Sequence, residues 1–127
     1  MFEVDIRREF SAAHCLRGYR GNCSRLHGHN WEVQAFVRAE ELDAIGIAVD
    51  FRRLKDELEK ILAEFDHTNI SELSYFAASN PTSELIAKTI FEKLAAALDD
   101  GRVKVDRVRV CESPSSGATY FGAQKRS

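Results

Sequence analysis

The 127-residue sequence holds only two prolines, one methionine, one tryptophan and three cysteines, with no excess of either charge sign. Each shortage excludes something. No apolar run approaches the roughly 20 residues that a helix needs to cross a bilayer, so a membrane protein is not expected. Eighteen basic and twenty acidic residues, interspersed, leave a formal net charge of −2. That pattern offers no basic stripe for a nucleic-acid backbone. Cys15, Cys23 and Cys111 are odd in number and irregularly spaced, which argues against a disulfide framework and suits a reducing, cytoplasmic compartment. The opening Met1-Phe2-Glu3-Val4-Asp5-Ile6-Arg7-Arg8 alternates apolar and charged residues and lacks the apolar core of a secretory leader.

What remains is ordinary globular composition, 44% apolar and 30% charged, in a length that suits one domain over residues 1–127. Such a domain buries roughly two thirds of its unfolded surface without help from disulfides or structural metals. Apolar residues fall on even positions from Phe2 through Val4, Ile6, Phe10 and Ala12, with His14 in phase, which is the period of a half-buried strand. After a polar, Gly-rich loop from Arg17 to Arg25, a second alternation runs His27, His29, Trp31, Val33, Ala35, Val37. Beyond a loop around Leu42 to Ala48, Asp50 is placed to cap a helix that repeats Phe51, Leu54, Leu58, Ile61, Leu62 and Phe65 and ends near Phe65.

A polar connection, 66–80, leads to Pro81 in a helix-starting position, then Ile86, Ile90, Leu94 and Leu98, with Gly101 closing the helix. Val103, Val105, Val108 and Val110 change parity once, which predicts a bulge or a late strand start. Ser113 to Gly117 is a turn and Ala118 to Gly122 a last strand. The order predicts an α+β domain: a four-stranded antiparallel sheet with two helices on one face. Its exposed strand edges predict homo-oligomerisation.

A single histidine on an apolar face is more often a hydrogen-bonded core residue than a ligand. His27 and His29 alter that balance, because positions i and i+2 of a strand face the same way, about 7 Å apart. With His14 from another strand they form a recurrent zinc arrangement that leaves one tetrahedral position open for chemistry. Gly28 between them reads either as a close backbone approach or as a bulge. Cys23 has two readings: a fourth ligand that joins the three histidines in a closed structural site, or a thiolate near the ion acting as general base. Cys15 and Cys111 read as packing residues. Asp66-His67 is either a carboxylate-oriented imidazole for proton transfer or a polar helix exit. Glu112, ending an apolar strand, is either an acceptor for paired N–H groups of a planar heterocycle or a solvated strand end.

Taken together, Phe10-Ser11-Ala12-Ala13-His14, Cys23-x-x-x-His27-Gly28-His29-Asn30, Val49-Asp50-Phe51, Asp66-His67-Thr68-Asn69, Asn80-Pro81-Thr82-Ser83-Glu84 and Cys111-Glu112 resemble the 6-pyruvoyl-tetrahydropterin synthase superfamily. Within it they resemble the bacterial 6-carboxy-tetrahydropterin synthases of queuosine biosynthesis. The resemblance implies a T-fold whose sheets join into a barrel in a trimer-based homo-oligomer such as a hexamer, with active sites at subunit interfaces. It implies zinc on His14, His27 and His29, Cys23 as catalytic base, Asp66 and His67 as a proton relay, and Glu112 and Thr82 against the pterin. The implied substrate is 7,8-dihydroneopterin triphosphate, and the implied products are 6-carboxy-5,6,7,8-tetrahydropterin, acetaldehyde and triphosphate. The three-residue gap from Cys23 to His27 resembles the carboxy-forming enzymes. A pyruvoyl-forming synthase, which eliminates triphosphate without losing carbon, is the alternative. A non-catalytic zinc-binding domain is a second one. Arg8, Arg17, Arg20 and Arg25 are candidates for holding the triphosphate.

Overall fold

Two long strands with period-two burial set the frame: β1 (Phe2–His14) and β2 (His27–Ala39), each of 13 residues. The computed structural model describes residues 1–18 and 25–123. After β2 come α1 (Phe51–Leu62), α2 (Ser83–Leu98), β3 (Val103–Ser113) and β4 (Ser116–Phe121). The strands form one antiparallel sheet in the order β1-β2-β3-β4. Both helices lie on one face of it, α1 over β1 and α2 over β3 and β4. This is the predicted α+β arrangement.

The residues of β2 that face the helices, Trp31, Val33, Ala35 and Val37, are fully buried. They meet Leu54 and Leu58 of α1 and Ile86, Ile90 and Leu94 of α2, also fully buried. Asp50 caps α1, its carboxylate accepting from Arg52 N at 2.8 Å. The helix ends at Leu62, three residues earlier than the apolar spacing suggests, because the chain tightens so that Phe65 N and Asp66 N both donate to the Leu62 carbonyl at 3.0 and 2.9 Å. Phe65 still points into the core.

At α2 the cap is Thr82, whose hydroxyl accepts from Leu85 N at 3.2 Å. Pro81 therefore stands just outside the helix instead of in its first turn. Gly101 does not end α2 directly; it sits at φ 89 in the turn that enters β3.

The parity slip in β3 is a bulge. Phe36 pairs with Arg107 and Val37 with Val105, leaving Asp106 as the extra residue. The bulge places Asp106 beside Arg107 (2.7 Å) and Arg38 (3.5 Å), and both arginines also grip Glu3 of β1, each at 2.9 Å. The Arg107 guanidinium lies 3.7 Å over the Phe36 ring. This network ties three strands together on the face away from the helices.

The two arginines, Arg107 foremost, hold the Glu3 carboxyl down to about 2. A carboxylate whose folded pKa lies below its unfolded value of about 4.3 adds stability that is present above that value and is lost as pH falls towards the folded one. The Glu3 side chain is one third exposed, so solvent screening limits the gain to about 1 kcal/mol. Glu3→Gln is therefore expected to lower stability in urea by up to about 1 kcal/mol at neutral pH. The difference from wild type should shrink as the pH is taken from about 4 towards 2.

Candidate metal centre

The β1–β2 register pairs His14 with His27 and Ala12 with His29. Paired residues of an antiparallel ladder project to the same face, so all three imidazoles rise on the helix-covered side at one end of the sheet. Their ring centroids are 4.5 Å (His14–His27), 4.8 Å (His27–His29) and 5.4 Å (His14–His29) apart. One nitrogen from each lies within 4.8 Å of the other two. Trp31 forms the floor, its ring edge-on to His14 at 4.8 Å and to His29 at 5.3 Å. The indole is itself fixed, stacked on Phe10 at 5.8 Å and donating to the Ala12 carbonyl at 3.2 Å.

Two backbone carbonyls choose the tautomers. Pro81 O accepts from His14 Nδ1 at 2.8 Å, and Arg25 O accepts from His27 Nδ1 at 2.7 Å. A carbonyl can only accept, so each Nδ1 carries a proton, and in the neutral ring each Nε2 keeps its lone pair. The Nε2 atoms of His14 and His29 are buried without a hydrogen-bond partner among the described residues. Such orphaned atoms are costly unless something occupies the space they face. Three neutral imidazole nitrogens aimed at one point are a donor set for a first-row divalent cation.

Burial, first of all, pushes the pKa of His14 and of His29 below the ordinary histidine value; for His14 the neighbouring His27 and His29 add to the effect, against the Pro81 carbonyl and Glu112. Neutral ligands are what a metal ion requires. Glu112, at the end of β3, places a carboxylate oxygen 3.9 Å from His14 Nε2 and 3.8 Å from His29 Nε2. It is thus brought to the histidine cluster, and its side chain remains 37% exposed.

Asp66 and His67 occupy a strap that runs along the free edge of β1. Asp66 accepts from Ser11 N at 2.9 Å, His67 N donates to the Ser11 carbonyl at 2.6 Å, and Ala13 N donates to the Thr68 carbonyl at 3.0 Å. His67 adopts φ 57, a left-handed conformation that side chains seldom take and that such bonding enforces. The other Asp66 oxygen meets His67 Nδ1 at 3.0 Å. Hydrogen bonding from Ser11 N, and secondarily from His67, holds the Asp66 carboxyl below its ordinary range. The dyad is an ordered pair, yet its imidazole is 82% exposed and is separate from the three-histidine cluster.

The Thr82 hydroxyl is engaged as the α2 cap, one residue from the carbonyl that holds His14. The Arg17 guanidinium donates to the Phe76 and Ser79 carbonyls at 3.0 and 2.8 Å, and Arg8 pairs with Glu59 at 2.7 Å. Cys23 and Arg20 lie outside the described residues. Pro81 and Arg25 enter through main-chain oxygens, which residue spacing does not signal. The only hint is that Asn80-Pro81 must place a rigid turn before a helix.

Comparison with known proteins agrees in both sequence and shape. The family model for 6-pyruvoyl tetrahydropterin synthase matches residues 3–123. A 6-carboxy-5,6,7,8-tetrahydropterin synthase of Bacillus subtilis is 35% identical, over 94% of this chain and 84% of its own length. The enzyme of the same name from Synechocystis is 36% identical, over 91% and 92% respectively. The solved 6-pyruvoyl tetrahydropterin synthase of Caenorhabditis elegans superposes with a TM-score of 0.83 at 30% identity, covering 97% of this chain and 98% of that one.

Because the depressed histidines stay neutral when folded and bind protons more readily when unfolded, the metal-free protein loses stability as pH falls below about 6.5. Chemical denaturation between pH 7 and pH 5 is expected to show this fall, and His29→Gln, which removes one titrating group, to make it shallower.

Proposed function

The chain belongs to the 6-pyruvoyl tetrahydropterin synthase family, and from that membership we propose that it is a zinc-dependent carbon–carbon lyase of queuosine biosynthesis. With one water, it takes 7,8-dihydroneopterin triphosphate to 6-carboxy-5,6,7,8-tetrahydropterin, acetaldehyde and triphosphate. The observation that carries the reading is the convergence of His14, His27 and His29 with two buried, unpartnered Nε2 atoms. The carboxy branch is favoured by the names of the Bacillus subtilis and Synechocystis relatives and by the three-residue gap between Cys23 and His27.

His14, His27 and His29 hold the ion, which when bound supplies Lewis-acid stabilisation of the charge that develops on the substrate's side-chain oxygens. Glu112 anchors the pterin ring through paired N–H donors, and Thr82 lines the same pocket. Cys23 removes a proton as general base. The Asp66 carboxylate orients the His67 imidazole, which carries a proton on the opposite side of the substrate. The openness of His67 in a single chain suits a site completed by a neighbouring subunit. We place that subunit in a trimer-based barrel, built by joining sheet edges, in the cytoplasm.

The second reading, a pyruvoyl-forming synthase, has in its favour the close superposition on the Caenorhabditis elegans enzyme. The two differ in carbon balance. Incubating metal-quantified protein with dihydroneopterin triphosphate is expected to release acetaldehyde in step with a carboxylated pterin; triphosphate release without acetaldehyde moves the protein to the pyruvoyl branch.

Cys23→Ala is expected to keep zinc at wild-type stoichiometry while turnover drops by roughly 10²–10⁴, the scale of a lost general base. Zinc lost along with the thiol would instead make Cys23 a fourth ligand of a closed site.

A further inference from the structure

We infer that Asn80 is a positioning residue for His14: its amide fixes the turn whose carbonyl sets the tautomer and direction of that imidazole. Asn80 and Arg17 lie 63 residues apart and exchange two hydrogen bonds. The Asn80 side-chain oxygen accepts from Arg17 N at 2.8 Å, and its amide nitrogen donates to the Arg17 carbonyl at 2.8 Å. The side chain thereby imitates a strand partner for one residue of the segment leaving β1. The Arg17 guanidinium closes the same contact from the other side, on the carbonyls of Phe76 and Ser79.

The main chain of Asn80 is held as well. Its carbonyl accepts from Thr82 N at 2.9 Å, so Pro81 is enclosed in a tight turn between Asn80 and the cap of α2. Proline adds its own fixed φ to that turn. The outcome is one rigidly placed acceptor, Pro81 O, at 2.8 Å from His14 Nδ1.

His14 is 1% exposed, so solvent cannot take over if the carbonyl moves. A neutral imidazole that loses its Nδ1 acceptor gains the freedom to carry its proton on Nε2, where it has no lone pair to offer a ligand. Partners of this kind behind a ligating histidine commonly govern metal affinity by about 10- to 100-fold. Asparagine is needed because one side chain must present a donor and an acceptor side by side to the N–H and C=O of a single residue, Arg17. Aspartate retains only the acceptor, and alanine neither. The consequence for metal affinity rests on the zinc reading above; the consequence for the His14 tautomer does not.

The test uses the full chain with Asn80→Ala and Asn80→Asp. Nitrogen-15 spectra of the metal-free histidines, recorded above their titration range, report which ring nitrogen of His14 is protonated. Competition with a chromophoric chelator reports zinc affinity per folded molecule. Both variants are expected to lose the clean Nδ1–H signature of His14 and to bind zinc about 10- to 100-fold more weakly, alanine more so. Leu94→Ala, which opens a cavity in the core away from the histidines, is expected to lower stability yet leave both readouts at wild type. If alanine does not fold, the near-isosteric aspartate carries the test. A folded variant with an unchanged tautomer overturns the inference. A wild-type chain that takes up no zinc, in which the tautomer still shifts on substitution, supports the hold of Asn80 on His14 and removes the metal reading instead.

Discussion

Everything at the centre depends on the register between β1 and β2. Strand side chains alternate faces with a period of two, so a slip of one residue would turn His14, or His27 and His29, to the opposite side of the sheet. The same slip would expose Phe10 or Trp31, which are 2% and 0% accessible. Hydrophobic burial worth about 25 cal/mol per Å² therefore enforces the alignment of the three imidazoles. Polar residues that would cost stability elsewhere are carried into place by the apolar residues that share their face. The Phe10–Trp31 stack, immediately below the histidines, is where the core and the site become one structure.

That coupling explains what can be read from sequence. His14, His27 and His29 are visible because they fall in phase with the apolar set, and the bulge at Asp106 is visible because the valines of β3 change parity. Both are properties of period, which a single sequence displays. Spacing misplaces the start of α2 by two residues, since a proline and a threonine can each begin a helix and only the Thr82 hydroxyl reaching Leu85 N decides between them. The carbonyls of Pro81 and Arg25, and the strap that seats Asp66 on Ser11, are main-chain contacts that leave no compositional trace. The resemblance to a family supplies roles for Asp66, His67 and Glu112 that spacing alone leaves ambiguous.

The two faces of the sheet follow different rules. On the helix side, His14 Nδ1, His27 Nδ1 and Trp31 Nε1 each donate to one carbonyl, while the Nε2 atoms of His14 and His29 are left pointing at a common space. On the other side, Glu3, Arg38, Asp106 and Arg107 satisfy one another near solvent. An ion pair there forms at little cost and contributes modestly. An unpaired donor or acceptor on the helix side costs about 1–3 kcal/mol, so those orphaned nitrogens are the costlier arrangement unless something occupies the space they face.

The carbonyl that holds His14 comes from a residue 67 positions further along the chain, while the three histidines themselves all fall between positions 14 and 29. The two distances differ in loop-closure cost. Pairing β1 with β2 closes the shorter loop and gathers the imidazoles, whereas seating Pro81 needs the second helix docked, at a higher cost. A chain with only the hairpin formed would have the imidazoles close together and their protons unassigned. It would hold a metal weakly and by whichever nitrogen happened to be free, so correct loading would be a late event that reports the completion of the fold.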